Sequence, residues 1–268
     1  PIITDLSGLK RHWRTDYDVI FVGYSTCYTE FKAEAMLINA NPSARLFYVT
    51  TDYECVYTAS LWYTKRPFEH IGNTERPSDR QGQHLKCWSQ RTAYHFANLN
   101  ALCTYSSMTK RIGGRGMIYY GQYRPDREKY FRMLPNECTI STKPKNAPKF
   151  KSVLPRARMV DSLAWRRNAE QLRLWDESLW IEDVSSHDLY SCPPNRFYEA
   201  LSCRVMPRPH VSVRKTAETG GYKLPDEWYW DNKIMPVKYD DAAMAALLAQ
   251  AIAEKAQVIC RLREICLE

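Results

Sequence analysis

Three short stretches of this chain hold side chains suited to gripping a phosphate ester and activating a hydroxyl. In GQYRPDR, Gly121, Arg124 and Arg127 stand where an apolar run turns into a helical one. Backbone N–H groups at a helix start attract anions, and guanidinium groups there can clamp a diphosphate through paired hydrogen bonds. The plainer alternative is two exposed arginines early in a helix. In PPNRFYEAL, a double proline ends one segment and Asn195 or its neighbour caps the next, with Arg196 and Glu199 three residues apart. On a helix that spacing puts both side chains on one face. The arginine can then meet a diphosphate while the glutamate accepts hydrogen bonds from ribose hydroxyls. The alternative is an intrahelical ion pair of small energy. In the third stretch Asp52 ends a buried run beside Thr50, Thr51 and Tyr53, at an expected sheet edge. A base there can take the proton of a hydroxyl attacking an anomeric carbon. The alternative is an aspartate capping the next turn, and Glu54, Glu69 and Asp79 are rival acids.

Charge segregates along the chain. The net charge is +8, from 38 Lys and Arg against 30 Asp and Glu. Nine basic residues between Thr142 and Arg173, including Lys143, Lys145, Lys149 and Lys151, face only Asp161 and Glu170. Between Ser60 and Arg115 nine more, including Lys65, Arg66, Arg76 and Arg80, face three acids. Such segregation suits a polyanionic partner, because each neutralised phosphate releases counterions. Solvated surface charge is the alternative. Trp62, Tyr63, Phe68 and Trp88 near the basic stretch either fill a core or stack on an extruded base.

Other chemistries find little support. The 9 cysteines are scattered without a CxxC pair, which argues for reduced thiols. His84 and Cys87 come nearest to metal-ligand spacing but lack a second pair, so no metal is expected. His70, His84 and His95 read as surface or core histidines. No run approaches about 18 uncharged apolar residues, and the first residues lack a signal-peptide core. A soluble intracellular protein without membrane contact is expected.

The elements that must position these residues follow from the apolar pattern. YDVIFVG suits a strand buried on both faces, FKAEAMLINANP a helix stopped at Asn41-Pro42, and ARLFYVTTD a second buried strand. Strand, helix and strand in so short a span make a βαβ unit. Thr64–His84 reads as one long loop, Trp88–Leu99 as a helical segment, and Lys110–Gly116 as a linker. GMIYYGQYRPDREKYFRML then opens a second α/β pattern as a strand, a turn at Gly121 and a helix with Pro125 in its first turn. CTIST is a weak strand, Asp161–Leu174 a helix, SLWIEDVSS a strand and RFYEALSCR a short helix. From Asp240 the chain reads as one long amphipathic helix.

Taken in order, YYG-x-x-R-x-x-R, the lysine-rich segment and IEDVSSHDLYSCPPNRFYEALSCRVMP resemble the donor domain of GT-B glycosyltransferases, in particular those by which phages modify DNA. From about Asp18 to about Pro207 the pattern is similar to T-even phage DNA glucosyltransferases. The strand, helix and NPSARLFYVTTDYE of the first half resemble the α-glucosyltransferase of that group. The resemblance implies two Rossmann-like domains with a cleft between them, the first shortened. It assigns residues 1–112 to an acceptor-side domain, 113–240 to the donor domain and 241–268 to a helix crossing back. It also implies that Arg124, Arg127 and Arg196 meet the donor diphosphate and Glu199 the ribose, with Asp52 as the catalytic residue.

The expected activity is transfer of a sugar, glucose from UDP-glucose, to a 5-hydroxymethylpyrimidine in duplex DNA. It would be carried out by a monomer in the cytoplasm of a phage-infected host, with no bound cofactor. Two alternatives stay open: a GT-B transferase with a glycan, lipid or protein acceptor, and a catalytically silent nucleotide-sugar or DNA-binding protein.

Overall fold

The computed structural model describes residues 16–22, 35–50, 66–72, 94–104, 111–161, 168–182 and 193–268. The chain divides into two compact units, Pro1–Leu99 with Glu264–Glu268, and Asn100–Arg263.

The first unit holds a four-stranded sheet in the order β1-β2-β3-β4, formed by β1 (Val19–Val22), β2 (Arg45–Thr50), β3 (Glu69–Gly72) and β4 (Tyr94–His95). Every pairing is parallel. Alternation along the strands sends Ile20, Val22 and Leu46 to one face, where they pack with Phe68 and with Leu37 and Ile38 from the helical residues 35–40. That helix stops at Asn41, as expected ahead of Pro42. The Asn41 side chain donates to Leu37 O at 2.8 Å and accepts the Tyr17 N–H at 2.7 Å. Phe68 thus belongs to the core.

The second unit holds a five-stranded parallel sheet in the order β7-β6-β5-β8-β9. Its strands are β5 (Met117–Tyr120), β6 (Thr139–Thr142), β7 (Arg158–Asp161), β8 (Glu177–Trp180) and β9 (Met206–Pro209). The helices are α1 (Glu128–Phe131), α2 (Ala147–Val153), α3 (Asn168–Leu172), α4 (Asn195–Ser202), α5 (Arg214–Thr219) and α6 (Asp241–Leu267). A sheet this buried needs cover on both faces. Tyr119, Ile140, Leu179 and Ile181 meet Phe131 of α1 and Phe150 of α2 on one side. Ile118 meets Leu172 of α3 and Ala200 of α4 on the other. On that second side Trp180 packs with Phe197 and Leu201 of α4, and with Met244, Leu247, Leu248 and Ala251 of α6. Asp240 caps α6 by accepting the Ala242 and Ala243 N–H groups, each at 2.9 Å. By length and composition α6 is apolar enough to cross a membrane, but the stripe just named is buried in this core.

Three expectations need correction, and one strand was not anticipated. The loop expected over 64–84 contains β3, a strand too short and too polar to show a period of two. Its Glu69 is covered by Arg45 of β2 at 2.9 Å. Tyr94–His95, expected in a helical segment, is β4. Arg158–Asp161, inside the basic segment, is the edge strand β7, and the helix expected from Asp161 is described only as Asn168–Leu172. Met206–Pro209 forms β9 despite two prolines. At this edge the Met206 and His210 N–H groups point to Asp176 O and Trp180 O of the β8 side. Pro207 and Pro209 fall at the alternate positions, where no inward donor is needed.

Residues 111–116, expected as linker, fold onto one carboxylate. Asp176 accepts from Gly114 N at 3.0 Å, Gly116 N at 2.8 Å and Arg111 Nη2 at 2.6 Å. Gly113, Gly114 and Gly116 take φ of +68°, +89° and +70° to make this wrap, a region that favours glycine. Burial pushes the Asp176 carboxyl up, but the two backbone donors and Arg111 outweigh it and hold it below its ordinary value. Stability from this group is therefore complete above about pH 4, the unfolded value, and fades as acid titrates the folded carboxylate below that. Asp176→Asn should cost about 1.5–3 kcal/mol in urea denaturation at pH 7. The difference from wild type should shrink as the pH is lowered below about 4.

Candidate functional site

At β5 the strand order reverses: β6 and β7 lie on one side, β8 and β9 on the other. Chains leaving β5 and β8 thus turn to opposite faces, and such a reversal opens a crevice at the strand carboxyl ends, where ligands of open α/β sheets bind. The expected donor-site residues of this unit gather there.

Gly121 follows β5 directly. Its N–H donates to Ser141 O at 3.1 Å, and its carbonyl accepts from Thr142 Oγ1 at 2.7 Å. Its φ is +153°, and a Cβ would lie 3.4 Å from Tyr119 Oη and 3.6 Å from Arg196 Nη2. Glycine keeps this corner open in front of the guanidinium. Arg124 precedes the single 3₁₀ turn Pro125–Arg127, with Pro125 at its first position as expected. Arg127 is buried. It donates to Tyr119 Oη at 3.4 Å and pairs with Glu182.

From the other face comes α4. Its N-cap is Pro194, and among the described residues no side chain caps the first turn. The Phe197 N–H turns back to Pro194 O at 2.9 Å, which leaves the Asn195 and Arg196 N–H groups at the helix start. The turn is fixed from behind. Asn100 Nδ2 donates to Pro193 O at 2.8 Å, and a Cβ at Gly220 would come within 2.6 Å of Pro193. Arg196 leaves this helix toward Tyr119, its Cζ 5.3 Å from the ring centroid, with Nη2 3.7 Å from Glu182 Oε1. Burial works against the Arg196 charge, but Glu182 and Tyr119 hold its pKa above the ordinary guanidinium value. One turn on, Glu199 is buried. The Tyr120 hydroxyl donates to Arg196 O at 2.9 Å. Burial, then the Glu199 carboxylate, pushes that phenol well above its usual range. Burial likewise pushes the Cys203 thiol, on the Glu199 side, up to about 12.

Among the described residues three buried atoms at this crevice have no hydrogen-bond partner: Arg127 Nε, Arg196 Nη1 and Asn195 Oδ1. Buried donors are rarely left so. Two guanidinium groups thus converge from two elements, each with a donor to spare. The sequence pattern did not bring out Glu182, which joins them. Its only signal was position: it lies just past the end of β8, as Gly121 lies just past the end of β5.

The other expected site residues scatter. Asp52 lies outside the described residues, two positions beyond β2 in the chain, and so do Glu54, Asp79, Lys65, Arg76, Arg80, His84, Cys87, Trp62, Tyr63 and Trp88. Arg66 is engaged internally, donating to Ile38 O, Asn41 O and Ala44 O at 2.9, 2.7 and 2.6 Å. It ties down the turn after residues 35–40. Lys143, Lys145 and Lys149 are exposed along the segment from the end of β6 into α2. Lys151 is exposed too, but its Nζ donates to Ala157 O at 2.8 Å, closing the end of α2. His70 and His95 stand in β3 and β4. Among the described residues no group of three or more His, Cys, Asp and Glu is placed to hold a metal ion.

No protein-family model matches this chain, and no curated protein matches it. Solved structures do. A T4 phage β-glucosyltransferase variant in complex with UDP-glucose is similar with a TM-score of 0.59 and 13% identity, over 96% of this chain and 83% of that one. The same phage enzyme with UDP and Mn2+ gives 0.62 and 12%, over 96% and 83%. Its structure as a DNA-modifying enzyme with and without uridine diphosphoglucose gives 0.62 and 13%, over 98% and 81%. The fold is GT-B. In GT-B terms, the two parallel sheets are the Rossmann-like halves, and the crevice between β5 and β8 belongs to the second.

Gly121→Ala tests whether this corner is built around glycine. The alanine should cost about 1–3 kcal/mol in chemical denaturation, because φ near +153° is open almost solely to glycine.

Proposed function

We propose that this protein is a glycosyltransferase that moves glucose from UDP-glucose to a 5-hydroxymethylpyrimidine in phage DNA, in the cytoplasm of the infected host. The observation that carries the reading is the pair Arg127 and Arg196, meeting at the strand-order reversal with buried donors that, among the described residues, have no partner, beside a helix start that no described side chain caps. The likeness to a phage enzyme solved with UDP-glucose supports it.

Arg196 and the α4 N–H groups receive the donor diphosphate, Arg124 adds charge at its edge, and Glu199 accepts the ribose hydroxyls. Asp52 takes the proton of the acceptor hydroxymethyl group as its oxygen bonds to the anomeric carbon. The bond from that carbon to the diphosphate breaks, and UDP leaves with the electron pair. The charge growing on the leaving oxygen is stabilised by guanidinium groups already in place. The exposed Lys143, Lys145 and Lys149 bind duplex phosphates, an interaction that carries no sequence information.

Mass spectrometry of nucleosides from hydroxymethylated DNA, incubated with protein and a panel of sugar nucleotides, tests the whole reading. A glucosylated pyrimidine made from UDP-glucose is expected. Sugar transferred only to glycan, lipid or protein would replace the DNA acceptor, and no transfer to any acceptor would leave a binding protein. Arg196→Ala should weaken UDP-glucose binding by roughly 1.5–3 kcal/mol in calorimetry, the size of a charge-assisted hydrogen bond. Wild-type affinity would remove Arg196 from the donor site. For DNA, Lys143→Gln with Lys149→Gln should flatten the plot of log affinity against log salt by up to about 0.9 for each phosphate no longer neutralised. UDP-glucose binding should be unchanged, and an unaltered slope would exclude these two lysines.

A further inference from the structure

We infer that Glu182 is a positioning residue that sets how tightly the donor site holds a diphosphate, by competing with it for Arg196. This rests on the donor-site reading above. Glu182 follows β8 by two residues, its side chain 14% exposed, and its two carboxylate oxygens do different work. Oε2 is hydrogen-bonded to Nη2 of the buried Arg127. Oε1 lies 3.7 Å from Arg196 Nη2, an ion-pair separation too long for a hydrogen bond.

The asymmetry divides the labour between the arginines. A guanidinium as buried as Arg127 needs a counter-charge to stay inside the protein, and Glu182 provides it. Arg127 is therefore a fixed post whose charge is already matched. Arg196 is held only loosely by the same carboxylate and keeps Nη1 buried and unpartnered among the described residues. A phosphate oxygen that takes up Arg196 comes to lie beside the Glu182 carboxylate, a like charge. Glu182 thus orients Arg196 before the ligand arrives, and once it is bound opposes it. The diphosphate is held less tightly than two free arginines would hold it, which favours departure of the nucleoside diphosphate after transfer. A tightly held product slows turnover.

Inorganic pyrophosphate and UDP are suitable probes, titrated calorimetrically against wild type, Glu182→Gln and Glu182→Asp. Glutamine keeps an oxygen to accept from Arg127 but loses the charge. Glu182→Gln should bind pyrophosphate about tenfold more tightly, with affinity falling more steeply as salt rises. Glu182→Asp, which restores the charge, should return most of the way to wild type. A scaffold residue would behave otherwise: folded Glu182→Gln with unchanged or weaker pyrophosphate affinity overturns the inference. If Glu182→Gln does not fold, the side-chain nitrogen resonances of Arg127 and Arg196 are followed in wild type as pyrophosphate is added. Movement of Arg196 with Arg127 left in place supports the inference, and the reverse order overturns it. Wild type that binds UDP-glucose, with Glu182→Gln no tighter, removes Glu182 and leaves the donor site standing. Wild type that binds neither probe nor UDP-glucose removes both.

Discussion

Parallel pairing is the constraint from which the rest of this structure follows. Every strand pair described in both sheets is parallel, so all strands of a sheet end along one edge and each connection must cross a face. Crossing connections need helices, and helices on both faces leave the central strands of such a sheet no solvent side. That is why β6 can be Thr-Ile-Ser-Thr and still be buried along its whole length. Its hydroxyls are turned to use: Ser141 Oγ donates to Asp161 O at 3.0 Å and Thr142 Oγ1 to Gly121 O at 2.7 Å. These bonds tie the strand ends together beside the crevice. Hydroxyls in a fully buried strand are acceptable only when paired in this way.

The same constraint explains where charge can be buried. Arg208 of β9 is almost wholly enclosed, yet it donates to Glu177 Oε2 at 2.9 Å, Trp228 O at 2.9 Å and Met235 O at 2.8 Å. Burial raises the Glu177 carboxyl and lowers the Arg208 guanidinium. The pair holds the edge strand to its neighbour and to the chain that follows. At the carboxyl ends of the strands the balance differs. Arg127, Arg196 and Glu182 put two positive charges against one negative, with Arg127 Nε and Arg196 Nη1 unpartnered among the described residues. One cluster is closed and serves the fold, while the other, among the described residues, is short of acceptors. That shortage, more than the presence of arginine, is what distinguishes the second cluster from an internal ion pair.

Basic residues that look alike in the sequence fall into separate roles once partners are known. Arg66 and Lys151 end in backbone carbonyls and close helical turns, so the local carbonyl geometry commits them to the fold. Lys143, Lys145 and Lys149 remain exposed. Charge density along the chain could not sort these groups, because it counts charges without the acceptors that local folding brings near.

The amino-acid sequence by itself determined the α/β class, strands within YDVIFVG, ARLFYVTTD, GMIYYG and SLWIEDVSS, and helical turns after Arg124 and Asn195. In each the signal is local: continuous apolar runs for strands buried on both faces, and proline or glycine at the turns. It also singled out Gly121, Arg124, Arg127, Arg196 and Glu199 as candidates, since a strand-to-helix junction and a three-residue helical spacing can be read without coordinates. Strand β4 is only two residues long, and β3, β7 and β9, of four residues each, carry charge or proline, so pairing with a neighbour, and not their own composition, makes them strands. Only the tertiary structure decided that Arg127 and Arg196 converge, and that Glu182 is the residue between them. Glu182 is 55 positions from Arg127 in the chain and 14 from Arg196, and no local interaction links the three. The reversal of strand order at β5 brings them together, and that order is set by which helices pack on which face.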